Sequence, residues 1–195
     1  MNSAPRRFLQ RRVEFPLFER RGLAPRDLDI IEIGCGSGYG AELLSRHGPR
    51  SYVGVDLMPE QISLALKRRL PRAEFMVRDA TDLSCFDAST RDLAVIFGIL
   101  HHIPAWRAVI GECHRVLRPG GRLFLEEPGG RVMALAHRLS PEAHPKEAHF
   151  DFSRLESHLA AIGFGIESTR RAFGFSFYCV RKPVMPPGAG NEGGP

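Results

Sequence analysis

The chain has 195 residues, 43% of them hydrophobic and 25% charged, which supplies one ordinary domain core and excludes a collagen-like or wholly disordered chain despite 20 Gly and 15 Pro. The net charge of +5 sits in residues 1–26, where seven Arg face two Glu; residues 27–195 balance twenty basic against twenty acidic side chains. Cys35, Cys85, Cys113 and Cys179 fall into no CxxC or Cys/His zinc spacing, and no apolar stretch approaches the roughly 20 residues of a spanning helix. Reduced thiols, no metal site, a cytoplasmic setting and no transmembrane segment are therefore expected. Arg6-Arg7 is not read as an export signal, because Gln10, Arg11, Arg12 and Glu14 interrupt any apolar run behind it.

Residues 1–26 read as a basic helical arm, packed onto the domain by Phe8, Leu9, Val13, Leu17 and Phe18 and solvated on its other face. Its arginines leave contact with an anionic surface open, whereas nucleic acid is a weak expectation without a further reading domain. A first strand over 29–33 runs into glycines and a helix over 38–47, with Leu43 and Leu44 on one side. A second strand over 51–55 ends at Asp56. Pro59 opens a helix whose Ile62, Leu64, Ala65 and Leu66 should face inward, with Lys67, Arg68 and Arg69 near its C-terminal end. Strands follow over 73–77, over 93–97, and over 123–126 behind a Pro119-Gly120-Gly121 turn.

Apolar strands alternating with helices predict a mostly parallel, doubly wound α/β sheet covered on both faces. The rhythm then changes. A helix over 152–162 precedes strands over 164–170 and 173–180, too close in sequence for anything but an antiparallel pair. Residues 127–150 read as a variable insertion on the substrate side of a domain spanning 27–182, and 183–195, with eight Gly or Pro, as a disordered tail.

The first strand leads into IEIGCGSGYG, where Gly34, Gly36 and Gly38 let backbone approach a ligand at the carboxyl end of the sheet. The loop alone leaves two readings. Gly36-Ser37-Gly38-Tyr39-Gly40-Ala41, with Asp56 twenty residues on, also fits a dinucleotide fingerprint. Three features favour a cationic nucleoside over a pyrophosphate: the carboxylate of Glu32 just before the glycines, Asp79-Ala80 at the end of the third strand, and the antiparallel edge.

With these residues in view, the sequence resembles the class I S-adenosylmethionine-dependent methyltransferases, in particular the type 11 branch that includes quinone-ring methylases. The resemblance covers about 28–181 and rests on the loop from Glu32 to Gly38, Gly54-Val55-Asp56, Asp79-Ala80, the segment from Phe97 to His102 and that from His114 to Arg122. It implies a seven-stranded Rossmann-like sheet of order 3-2-1-4-5-7-6 with strand seven antiparallel. S-adenosyl-L-methionine is the implied cofactor. Asp56 would accept from its ribose hydroxyls, Leu57 would flank the adenine, and Asp79 with Ala80 would read its edge. Gly34, Cys35, Gly36 and Gly38 would admit the methionine part, with Glu32 and the Phe97-Gly98 backbone holding its amino end.

A sulfonium methyl is already activated, so the protein's task is to align a nucleophile and exclude water. His101, and slightly behind it His102, are candidate catalytic residues at the mouth, as base or orienting donor; bracing of the loop is the structural alternative. Glu126 and Glu127 read either as cavity carboxylates or as a pair split between an inward bond and solvent. Tyr39 either covers the cofactor or packs, His149 and Phe150 belong to a lid or a surface loop, and Arg115 and Arg118 are helix-end charges. The motifs of nucleobase, protein-arginine and metal-dependent catechol methylases are missing, which leaves a small organic or lipid-like acceptor. The competing function is a catalytically silent donor-binding module whose basic arm docks a partner; a nicotinamide oxidoreductase ranks third.

Overall fold

The computed structural model describes residues 4–130, Val132, Arg138 and 151–184. Seven strands form one sheet: β1 (Asp29–Ile33), β2 (Ser51–Asp56), β3 (Ala73–Val77), β4 (Arg91–Phe97), β5 (Leu117–Pro128), β6 (Gly165–Ala172) and β7 (Phe175–Arg181). Their order is β3-β2-β1-β4-β5-β7-β6, parallel except where β7 runs antiparallel to β5 and β6. This is the doubly wound arrangement expected from the alternation of elements.

Side chains alternate between faces along each strand, and here both faces are covered. Ile31, Ile33, Val53, Val55, Ala94 and Ile96 point to one face, packed under α5 (Trp106–Val116) and α6 (Phe152–Ala161). Ile30, Tyr52, Leu93, Val95, Phe97 and Phe124 point to the other, under α3 (Tyr39–Ser45) and the N-terminal arm. The arm is a run of α1 (Ala4–Leu9), a π-helical turn (Gln10–Glu14) and α2 (Phe15–Glu19). Phe18 is fully buried, its ring 5.8, 5.4 and 5.6 Å from those of Phe97, Phe124 and Phe177. Burying such a ring is worth about 1.5–3 kcal/mol before any aromatic pairing.

Several local expectations need correction. Phe8 is 65% exposed, and Phe15 takes its place in the core, because the π-helical turn resets which residues face the sheet. In α4 (Pro59–Leu66) only Ile62 and Ala65 are buried; Leu64 and Leu66 stand in solvent, since a two-turn helix resting on β2 and β3 offers one narrow stripe. Pro119-Gly120-Gly121 does not precede the fifth strand but bulges within it. The register on β4 jumps from Arg91↔Leu117 to Leu93↔Arg122, while Gly120 N–H donates to Lys182 O and Lys182 N–H to Gly121 O. The strand then continues to Pro128, into the stretch expected to begin the insertion. At the β6–β7 hairpin, Phe173 and Gly174 both have positive φ, 54° and 82°, and form the turn instead of starting a strand. Residues 139–150, including His149 and Phe150, and the tail from 185 on lie outside the described residues.

Candidate functional site

The carboxyl ends of β1, β2 and β4 open onto two adjoining cavities that share Gly34. The larger, about 630 Å³, is lined by Asp56, Leu57, Asp79, Ala80, Ile99 and His102 among others. That volume lies within the usual range for a small-molecule site. The smaller, about 40 Å³, lies against Glu32, Cys35, Gly36, Ser37, Tyr39 and Phe97, and its outer wall is the arm, through Arg6, Arg7 and Gln10.

The glycine loop takes a left-handed backbone that favours glycine. Gly34, Gly36 and Gly38 have φ of 69°, 52° and 75°, and a Cβ on Gly34 would sit 2.8 Å from the Ile99 side chain. Gly34 and Cys35 N–H both donate to Val55 O, which ties the loop to β2. Asp56 secures it further: one carboxylate oxygen accepts from Gly36 N–H at 2.8 Å, the other from Met58 N–H at 2.9 Å. Each carboxylate oxygen has a second acceptor position, so this bracing leaves capacity for ligand hydroxyls. One oxygen of Asp79 accepts from the Thr81 N–H and hydroxyl at 2.8 and 2.7 Å, fixing the carboxylate at the rim. Leu57, 67% exposed, stands at the edge of the same cavity.

Glu32 is nearly inaccessible and accepts from the Tyr52 hydroxyl at 2.7 Å. Burial pushes its pKa up to about 8 against the lowering influence of that hydroxyl bond. A Cβ on Gly40 would overlap the Glu32 carboxylate, so this glycine serves the side chain rather than a turn. Tyr52 was not singled out from sequence, and Gly40 only as part of the dinucleotide fingerprint. The available signal was register: Tyr52 pairs with Ile30 and Gly54 with Glu32, which puts the tyrosine on the same face as the glutamate. Burial also raises the Cys35 thiol, keeping it neutral beside the cavity.

The two histidines separate. His101 is buried, its Nδ1 2.7 Å from Glu127 Oε2, and the same carboxylate accepts from Ile99 and Leu100 N–H at 3.0 and 2.7 Å. His101 and Glu127 thus brace the turn behind β4 (Leu100–His102), while His102 lines the larger cavity. Glu126 and Glu127 are both fully buried; neither meets solvent. Adjacent strand residues face opposite sides, and with both faces covered Glu127 goes under the β4 turn and Glu126 under the arm, where Arg6 donates to it at 3.3 Å. Phe97 O accepts from Arg6 and Gly98 N–H donates to Glu126 O. Arg115 and Arg118 are held by Glu112, and by Asp29 and Asp92, and neither lines either cavity. Among the described residues no group of three His, Cys, Asp or Glu is placed to hold a metal ion, and no helix is long and apolar enough to cross a membrane.

A glycine-rich turn at the carboxyl end of β1, at the point where the strand order reverses, defines a doubly wound domain that seats a nucleoside-bearing cofactor. Comparison with known proteins identifies the family. A family model described as a methyltransferase domain matches residues 31–125. An S-adenosylmethionine-dependent methyltransferase of Mycolicibacterium smegmatis is 32% identical over 145 residues, 74% of this chain and 55% of that protein. The phthiotriol/phenolphthiotriol dimycocerosates methyltransferase of Mycobacterium leprae is 43% identical over 96 residues, 48% of this chain and 35% of that protein. The chain thus spans about half or less of the length of these curated relatives. The crystal structure of a SAM-dependent methyltransferase from Methanosarcina mazei superposes with a TM-score of 0.67 at 28% identity, covering 88% of this chain and 98% of that one. Residues 31–125 thus carry a methyltransferase domain, and the chain is similar in sequence and fold to class I S-adenosylmethionine-dependent methyltransferases, a family whose methyl donor is S-adenosyl-L-methionine. The dinucleotide reading of the glycine loop is set aside accordingly.

Proposed function

We propose that this chain transfers a methyl group from S-adenosyl-L-methionine to a small organic or lipid-like acceptor by in-line displacement. One observation carries the reading: the carboxylates of Asp56 and Asp79 and the Gly34 backbone converge on one cavity of about 630 Å³, with His102 on the same lining. When bound, the donor supplies a methyl carbon already activated by its positively charged sulfur. The chain's residues position the rest. Asp56 accepts from the ribose hydroxyls, Asp79 and the Ala80 backbone read the adenine edge, and Leu57 covers the ring. Gly34, Cys35, Gly36 and Gly38 admit the methionine part toward Glu32 and the carbonyl of Phe97. His102 orients the acceptor and takes the proton from its attacking hydroxyl or acidic carbon. The matched Mycobacterium leprae relative carries a lipid acceptor in its name, which favours the lipid-like end of the range.

The test is radiolabelled methyl transfer to a panel of hydroxylated aromatic and long-chain lipid acceptors, run alongside calorimetric titration with S-adenosylhomocysteine. Tight binding and turnover on one class of acceptor are expected. His102→Gln should then lower turnover about 10²- to 10⁴-fold with the product's dissociation constant unchanged, whereas His101→Gln should lower the melting temperature instead. Donor binding with no turnover on any acceptor would favour the silent module that uses its arm for docking. Binding of NAD in place of S-adenosylhomocysteine would overturn both readings.

A further inference from the structure

The amino ends of the strands carry a further cavity, at the opposite end of the sheet from the glycine loop. It encloses about 450 Å³ over the starts of β2 and β3 and is lined by Arg50, Ser51, Arg72, Glu74 and Arg91 among others. Arg50 and Arg72 are the residues just before β2 and β3, and Arg91 opens β4, so three strand starts bring three arginines to one place. Nothing in the transfer of a methyl group uses them.

The three guanidiniums are not equally engaged. Arg50 donates to Asp29 at 2.9 Å and to Asp27 O at 2.7 Å. Arg72 is exposed and reaches only Pro49 O, at a long 3.4 Å, from a backbone φ of 60°. Arg91 is half-buried and makes no hydrogen bond or ion pair among the described residues; its guanidinium lies 5.1 Å from the centre of the Phe86 ring, with Nε enclosed and unpartnered. A charge withdrawn from water without an acceptor is unfavourable, and a ring face offsets only part of that cost. Glu74, the one carboxylate on this lining, is exposed and forms an ion pair with neither Arg72 nor Arg91.

We propose that Arg72 and Arg91 form a binding site for a phosphate-bearing small molecule, separate from the cavities around the glycine loop. Phosphate suits the pair better than a carboxylate does. A phosphate monoester carries close to two negative charges near neutral pH and spreads its acceptor oxygens tetrahedrally, so guanidinium forks can approach it from two directions. A carboxylate offers one charge and two oxygens in a single plane. Arg50, already matched by Asp29, serves as the wall of the site. The volume is that of an ordinary small-molecule pocket.

Calorimetric titration of the full chain with inorganic pyrophosphate at constant ionic strength tests the assignment. Wild type should bind it, and Arg91→Met and Arg72→Gln should each weaken binding about ten- to one-hundred-fold, as expected for the loss of a charge-assisted fork. Arg91→Met keeps the stem over Phe86; if it nevertheless fails to fold, Arg72→Gln, at an exposed position, carries the test. Arg12→Gln, on the exposed face of the arm, should bind as wild type does, and saturating S-adenosylhomocysteine should leave the pyrophosphate affinity within about twofold. Wild type that ignores millimolar pyrophosphate overturns the proposal, as does affinity unchanged in both cavity variants. Equal loss in Arg12→Gln overturns it by placing the anion on the arm, and mutually exclusive binding with S-adenosylhomocysteine overturns it by placing the anion in the glycine loop. A single-stranded oligonucleotide that binds where pyrophosphate does not overturns it in favour of a nucleic-acid face. None of these outcomes depends on what the glycine loop holds, so failure here leaves the methyl-donor reading standing.

Discussion

The two cavities at the carboxyl edge of the sheet, the two halves of the proposed donor site, are built from different materials. The larger cavity is framed by residues at strand ends and in the turns just behind them, Asp56, Asp79, Ala80 and Ile99, all fixed by the parallel register of β2, β3 and β4. The smaller one is closed by a helical arm from the start of the chain, anchored through Phe15 and Phe18 to the opposite face of the sheet. The first half is therefore as rigid as the sheet. The second is only as stable as the docking of one short amphipathic segment, and in the proposed reading it is the half that faces the donor's amino-acid end. Recognition of the nucleoside and retention of the amino-acid tail should be separable by mutation.

The largest expected effect breaks the second half alone. Phe18→Ala removes a fully buried ring from among Phe97, Phe124 and Phe177 and should cost about 3–5 kcal/mol in chemical denaturation. Where the protein remains folded, trypsin should cut the arm at its exposed arginines, and S-adenosylhomocysteine should lose more affinity than 5′-methylthioadenosine. Equal loss of both would join the two halves into one unit.

Asp56→Asn addresses the first half. It keeps the shape but not the charge that braces Gly36 and Met58, and it should weaken both ligands about ten- to one-hundred-fold, equivalent to the loss of about 1.5–3 kcal/mol of charge-assisted bonding. If only S-adenosylhomocysteine weakened, the ribose assignment would be wrong.

The smallest effect sharpens the second half through pH. With its pKa near 8, Glu32 is mostly neutral at pH 7 and ionises only as pH rises past 8. A cationic ligand end favours the ionised form, so binding draws that pKa down. S-adenosylhomocysteine should therefore bind several-fold more tightly at pH 8 than at pH 6.5 and release protons on binding near pH 7, detectable by calorimetry in buffers of different ionisation enthalpy. The 5′-methylthioadenosine titration should show neither, and Glu32→Gln should flatten both. A pH-independent affinity in the wild type would show that the ammonium does not sense this carboxylate.

How much of this was legible in advance depends on how local each cause is. Gly34, Gly36 and Gly38 announce themselves because positive φ at a strand-to-helix turn is a local demand on the backbone, and the structure finds it at all three. Asp56 and Asp79 were legible for a similar reason, as acids that close strands facing one crevice. The histidine pair was not, since neighbouring residues in a short 3-10 turn point in different directions and only the position of Glu127, on another strand, decides which one is taken. Phe8 and Phe15 changed places because the π-helical turn between them shifts the face of the arm.

The sequence by itself determined the sheet, the place of its ligand-binding crevice and the acids along its rim, because periodicity, glycine and strand-end position act over a few residues. Only the tertiary structure decided that Tyr52 would donate to Glu32, that Glu127 would claim His101, and that Arg6 would cross 91 positions to the Phe97 carbonyl. Those contacts follow from burial of both sheet faces. Once water is excluded, each buried carboxylate must take whatever donor the packing brings, and the residue that arrives is set by the fold rather than by the neighbouring letters.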